Sequence, residues 1–190
     1  IHTSYATARK KGDMDTIIDY VLEASFLHYL RKKYPKLPIP LPPDLYPTFM
    51  QQLKGLPFPH RYKKDKLKYS LQNYFLTHVN AALTNYGEFP QASTPLTRRI
   101  WKYWKREWKT IRDKVGDFDL MAEVVFCFKL YGKAHLPLYK TGLTKILNSQ
   151  NKNGSWGKKK TENDTYYEAI HPTWTAITAL VTPNRKLKKK

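Results

Sequence analysis

The chain has 190 residues, of which 41% are hydrophobic and 14% aromatic, and its formal net charge is +19 at pH 7. This length and apolar content argue for one folded domain with a real core and against a disordered chain. No apolar run approaches the roughly 20 residues needed to span a bilayer. We therefore expect a soluble protein. The first residue is Ile1 rather than Met, which leaves secretion after processing open.

The hydrophobic periodicity predicts an all-α chain of six or seven helices. The first helix is expected at about 13–33, where apolar residues recur at three- and four-residue spacing. Six prolines at 35–47 then forbid regular structure. The apolar residues between them favour an extended, polyproline-like strap laid across the helices, with a domain linker as the alternative. A short helix is expected at about 47–54.

Longer helices are predicted after the strap. One should run over about 64–86 and stop at Gly87, since glycine commonly follows a helix end. The next, at about 96–114, carries three tryptophans on one face and basic residues on much of the other. That pattern is typical of an amphipathic helix whose tryptophans lie in the core. The last three helices are expected at about 117–131, 138–150 and 172–181.

The predicted organisation is one helical domain over residues 1–184, which includes the proline-rich strap at 35–47, followed by a basic tail at 185–190. The single cysteine, Cys127, forbids an intrachain disulfide. It lies in the apolar run 124–128 and is expected to be a buried structural thiol, because free cysteine packs as a small hydrophobe.

The net charge indicates the class of partner. The positive charge is spread in short groups of Lys and Arg and implies attraction to an acidic polymer or an anionic surface. Solubility is the alternative role for this charge. Specific nucleic-acid binding is not favoured, because no nucleic-acid module is recognisable and the aromatic residues follow the periodicity of a helical core.

Two acidic residues lie on one of the most apolar predicted helices. Asp119 and Glu123 are four residues apart and share a face. A buried carboxylate must be paired, protonated or metal-bound, because isolated burial costs several kcal/mol. Pairing with one of the 34 Lys and Arg residues, or with backbone amides at a helix start, is the alternative to a functional role. Asp117 is a candidate N-cap of the same helix.

Two histidines lie on neighbouring predicted helices. His78 lies on the helix before Gly87, and either contributes to a site or is satisfied within the core. His171 precedes Pro172 and is expected at or near the N-cap of the last helix, because proline is favoured at the first helical position. A cap is therefore the alternative role for His171.

We predict that these helices direct His78, Asp119, Glu123 and His171 into one cavity as catalytic residues. Two imidazoles and carboxylates suit a divalent transition metal such as Zn, Fe, Mn or Cu, and His78, Glu123 and His171 are the predicted ligands. The same groups could instead work without a metal as general acids and bases, since histidine titrates near neutrality and burial can raise the pKa of a carboxyl group.

The segment Gln150-x-x-x-Gly154-x-Trp156, followed by His171-Pro-Thr-Trp174, resembles the QW motif and inner helix of the α/α-toroid families. These include the triterpene cyclases and the protein prenyltransferase β-subunits. The resemblance covers about 115–181, and more weakly 64–90. It implies a small or incomplete α/α-toroid-like bundle, in which a second copy in a homo-oligomer could complete the ring. The cyclase Asp-x-Asp-Asp motif is absent.

These observations predict a metal-assisted or acid–base enzyme that acts in a cavity between helices. The alternative is a non-enzymatic, strongly basic protein that binds an acidic polymer or surface. The sequence leaves the choice between enzyme and binding protein open.

Overall fold

The computed structural model describes residues 13–36, 61–62, 65–158 and 166–181, together with residues 7, 11, 38, 51 and 53. Within this part of the chain all regular structure is helical, which confirms the all-α prediction. The six helices are α1 (Met14–Lys33), α2 (Lys66–Leu83), α3 (Pro95–Thr110), α4 (Phe118–Leu130), α5 (Pro137–Asn148) and α6 (Tyr166–Leu180). The basic tail and nearly all of the predicted strap and short helix lie outside the described residues.

Four of the helices begin at a side chain that caps the first turn. Asp13, Asp65 and Asp117 each accept a hydrogen bond from the backbone N–H three residues later. Thr94 does the same for α3 as part of a capping box with Thr97. Such caps each contribute about 1 kcal/mol. The predicted cap at Asp117 is confirmed.

The end of α2 and the last turn of the helical region that begins with α3 differ from the prediction. Helix α2 stops at Leu83, because Asn85 and Tyr86 adopt left-handed backbone with φ of 47° and 52° before Gly87 is reached. Helix α3 continues as a π-helical turn over Ile111–Val115, and Gly116 ends this turn with φ of 65°. The sequence pattern predicted one continuous helix across this region.

The beginning of α6 corrects the sequence interpretation. The helix starts at Tyr166, so Pro172 lies inside it rather than at its first position, and His171 is not its cap. An internal proline costs a helix about 3 kcal/mol through its missing N–H and its ring. Tertiary packing offsets this cost, because Ala176 and Ala179 are fully buried on a helix that packs against α4. His171 therefore projects from the side of a helix.

Helix α4 occupies the centre of the fold and packs against α2, α5 and α6. It carries Cys127, which is buried as predicted. Helix α3 contributes Trp104 and Trp108 to the core, and the Trp108 ring meets Phe128 of α4 edge-on at 5.1 Å between centroids. These two tryptophans confirm the predicted core face of α3. None of the helices in the described ranges is long and apolar enough to cross a membrane.

The turn between α5 and α6 holds these helices together through Trp156. Its buried indole N–H donates to the carbonyl of Ile146 at 2.7 Å, and its backbone N–H donates to Thr173 Oγ1 at 2.9 Å. Gly154 allows the preceding turn, since its φ is 86°. The QW-type segment thus links α5 to α6. An arrangement of these helices as a toroid stays a prediction.

Candidate metal and acid–base site

Helices α2, α4 and α6 bring the four predicted site residues together. Asp119 and Glu123 from α4 and His171 from α6 each offer one ligand atom, and these three atoms lie within 4.8 Å of one another. His78 from α2 lies beside this group, with its Nδ1 3.8 Å from Glu123 Oε2. The predicted ligands were His78, Glu123 and His171. In the structure the three mutually close groups are those of Asp119, Glu123 and His171, so Asp119 takes the place of His78.

Asp119 is surrounded by hydrogen-bond donors from α2 and α6. The Nδ1–H of His171 donates to its Oδ2 at 2.8 Å, and the Thr175 hydroxyl donates to its Oδ1 at 2.6 Å. Tyr74 lies with its hydroxyl 3.2 Å from Asp119 Oδ2 and 3.0 Å from Asp117 Oδ1. Sequence reasoning did not identify Tyr74, although it lies one turn before His78 on α2. These contacts hold the Asp119 carboxyl group in a fixed orientation.

Glu123 lies in an environment that favours its neutral form. Burial, together with the negative charges of Asp119 and Asp117, raises the pKa of Glu123 to about 8 from 4.5, and the hydrogen bond with Thr77 only partly opposes this. At neutral pH the carboxyl group is therefore mostly protonated.

The hydrogen bonding around Thr77 fits a protonated Glu123. The Thr77 hydroxyl carries one proton and lies next to two oxygen atoms, the Tyr74 carbonyl at 2.8 Å and Glu123 Oε2. With an ionised Glu123, this single proton could satisfy only one of two acceptors. A protonated carboxyl group donates to Thr77 Oγ1 and leaves the hydroxyl proton for the carbonyl.

Both imidazoles are held through Nδ1. His78 Nδ1 lies 2.7 Å from the Tyr74 carbonyl, which can only accept, so this nitrogen carries the proton. Burial lowers the pKa of His78 and favours the neutral ring, although the bond to the Tyr74 carbonyl partly opposes this shift. In His171 the bond to Asp119 likewise uses Nδ1. In His78 the protonated Nδ1 leaves a bare Nε2, the form that metal ligands and general bases require.

In the part of the chain that the structure describes, no lysine or arginine pairs with the Asp119 or Glu123 carboxyl group. Within the described ranges, the basic side chains within 4.0 Å of Asp119 and Glu123 are the imidazoles of His171 and His78. Pairing with basic residues, the alternative predicted from the sequence, is therefore not what the structure shows for these groups.

The charge distribution along the sequence sets this region apart from the rest of the chain. Four stretches contain none of the 34 Lys and Arg residues, namely 13–30, 69–97, 115–128 and 161–184. Together they contain 11 of the 15 Asp and Glu residues, which are four, one, three and three in that order. These stretches include most of α1 and nearly all of α2, α4 and α6. The stretches that carry the site residues are thus acidic in sequence, although the whole chain is strongly basic.

Tyr167 is a further neighbour of the site that the sequence did not reveal. Its ring stacks on the imidazole of His171, with the centroids 4.4 Å apart and the planes inclined by 29°. Partial burial, with the nearby Asp119 and Glu123 charges, raises the pKa of Tyr167 to about 12. Its phenol is thus neutral at physiological pH and covers one face of the His171 ring.

No protein-family model, curated protein or solved structure matches the chain. The likeness to the α/α-toroid families therefore stays a prediction that rests on the QW-type segment and the helices around it. The function has to be argued from the chemistry of the site.

Proposed function

We propose that the protein binds a divalent transition metal ion through Asp119, Glu123 and His171 and uses it in acid–base catalysis with His78. The observation that supports this most is the convergence of three ligand atoms within 4.8 Å. Two carboxylates and one imidazole, with a second imidazole beside them, are donors that suit Zn²⁺, Fe²⁺ or Mn²⁺. The proposed scaffold is an incomplete α/α toroid.

The distances are compatible with one ion. Ligand atoms at about 2.0–2.2 Å from a metal are roughly 3–4 Å apart, so side-chain rotations that give up the bond between His171 Nδ1 and Asp119 would bring the three groups into range. The hydroxyls of Tyr74 and Thr175 already orient the Asp119 carboxylate. Outer hydrogen bonds of this kind fix the ligands of metal sites. Ion binding would displace the Glu123 proton, because a carboxylate binds metals in its ionised form.

A metal ion at this position would supply a Lewis acid or an activated water molecule. His78 has the properties of a general base beside it, since the bond to the Tyr74 carbonyl leaves Nε2 bare and burial lowers the pKa of the imidazole. His78 would accept a proton at Nε2 while Nδ1 stays bonded. The reaction class is thus metal-assisted proton transfer or hydrolysis.

Metal binding can be tested directly on the purified protein. We expect elemental analysis to find one transition-metal ion per chain, and titration of metal-free protein with Co²⁺ to give visible absorption bands. Asp119→Asn and His171→Gln should each weaken binding by about 10-fold or more. The matched controls Glu23→Gln and His135→Gln alter exposed side chains and should bind Co²⁺ as the wild type does.

Two results would reject the metal proposal. One is folded wild-type protein, verified by circular dichroism, that takes up no stoichiometric Zn²⁺, Mn²⁺, Fe²⁺ or Co²⁺. The other is Co²⁺ affinity that does not change in Asp119→Asn and His171→Gln. In the second case the ion binds elsewhere on the chain.

We propose polyanion binding as a second function, located on α3. Arg98, Lys102, Lys105 and Lys109 recur at spacings of four, three and four residues and are all exposed. They form a continuous basic strip on the side of α3 away from its buried tryptophans. Such a strip attracts an acidic polymer or an anionic surface.

Salt-dependent retention on heparin tests this second function. The double variant Lys102→Ala/Lys105→Ala should elute at lower salt than the wild type, because each lost contact with an anionic polymer reduces the salt dependence of binding. The matched control Lys140→Ala/Lys145→Ala removes two exposed charges from α5. An equal shift in both double variants would show that only the net charge matters and would reject a specific role for α3.

A further inference from the structure

One side of α6 exposes a row of large apolar side chains. The opposite side contains Ala176 and Ala179, which are fully buried. The exposed row consists of Tyr167 (59% exposed), Ile170 (39%), Trp174 (66%), Ile177 (45%) and Val181 (57%). An amphipathic surface helix normally presents polar residues to solvent on this side.

The spacing of the row is that of a helix–helix contact. Its members follow one another at three, four, three and four residues, which averages 3.5 and keeps them along one line of the helix. Trp174 lies at the centre, seven residues from Tyr167 and seven from Val181. The row is therefore nearly symmetric about Trp174, so that it can pair with an antiparallel copy of itself.

The exposed area is large enough for a stable contact. The exposed parts of these five residues amount to on the order of 600 Å², the upper end of the largest apolar patch on a typical monomer. Two such faces would bury on the order of 1,200 Å² in total, which reaches the lower limit of specific, stable interfaces.

The charge distribution favours a second copy of this chain as the occupant. Two chains of net charge +19 repel each other wherever their basic surfaces meet. Residues 161–184 contain no Lys or Arg, so two copies that meet along the row bring no Lys or Arg side chain of α6 together. A strongly acidic partner would instead be attracted to a basic face such as that of α3.

We propose that two copies of the protein associate through this row, with α6 packed antiparallel against α6 of the second copy around a two-fold axis. In such an interface the same patch is used by both subunits. Trp174 meets its counterpart at the axis, and Tyr167 lies near Val181 of the second copy. The dimer does not depend on the proposed metal chemistry.

Sedimentation equilibrium of the full chain at about 50 µM tests the association, since a dimer must be stabilised by mass action. We expect the wild type to be a dimer and Trp174→Glu to be a monomer. The matched control Leu67→Glu changes a side chain of α2 that is 70% exposed and should stay dimeric. A monomeric wild type, or a Trp174→Glu variant as dimeric as the wild type, would overturn the proposal.

A second measurement tests the antiparallel geometry without removing Trp174. The variants Tyr167→Cys and Val181→Cys, each with one added cysteine, should form a disulfide-linked heterodimer when mixed under mild oxidation, and each alone should cross-link much less. The native Cys127 is buried and does not interfere. Cross-linking of each variant to itself, with none between the two, would refute the antiparallel arrangement.

Discussion

Replacing Glu123 with glutamine removes an ionisable group from the centre of the site and keeps its shape. In the wild type, burial and the nearby Asp119 and Asp117 carboxylates raise the pKa of Glu123 to about 8 from 4.5. At pH values between these two pKa values, the folded protein therefore holds a proton that the unfolded chain has released. Stability must depend on pH in this window.

The sign and size of the effect follow from the pKa difference. Because the folded pKa is raised, the contribution of Glu123 to stability is fully present below pH 4.5 and is lost as pH rises through about 8. Each pH unit within the window costs about 1.4 kcal/mol. Between pH 5 and pH 8 the free energy of unfolding of the wild type should fall by about 4 kcal/mol relative to that of Glu123→Gln. The glutamine amide has no charged form and so does not titrate.

Urea unfolding at several pH values from 5 to 8.5, with a chelator present, measures this difference. Subtracting the two profiles removes the titrations that both proteins share, including those of His78 and Lys129. The matched variant Glu23→Gln, exposed on α1, should run parallel to the wild type. If the difference between the free energies of unfolding of Glu123→Gln and the wild type changes by less than about 0.5 kcal/mol across this range, a protonated Glu123 is refuted.

Two further changes test the packing that holds the site helices in place. In Gly142→Ala the new methyl group would clash with Val125 and would lie 3.1 Å from the Trp108 ring. The free energy of unfolding, measured with heat or urea, should therefore fall by about 1–3 kcal/mol. The Lys129 ammonium donates to three backbone carbonyls at the end of α6, and Lys129→Met should lower the free energy of unfolding by about 1–3 kcal/mol. Unchanged stability in either variant would contradict the packing described for that helix.

Much of the fold could be predicted because helix formation depends on residues close together in the sequence. The cap at Asp117 and the apolar periodicity of α1 act within about four residues. The same locality placed Asp119 and Glu123 on one face of α4. The beginning of α6 could not be predicted, because its local signal at Pro172 is outweighed by packing against a helix about 50 residues earlier in the sequence.

The amino-acid sequence by itself determined the helical class, the pairing of Asp119 with Glu123 on one face, and the absence of Lys and Arg from residues 115–128 and 161–184. Each of these depends only on residue order and composition. The tertiary structure decided which groups meet: Tyr74 contacts Asp119 across 45 positions, and His171 contacts it across 52. It also decided the protonation of Glu123, because burial and neighbouring charges exist only once the helices pack together.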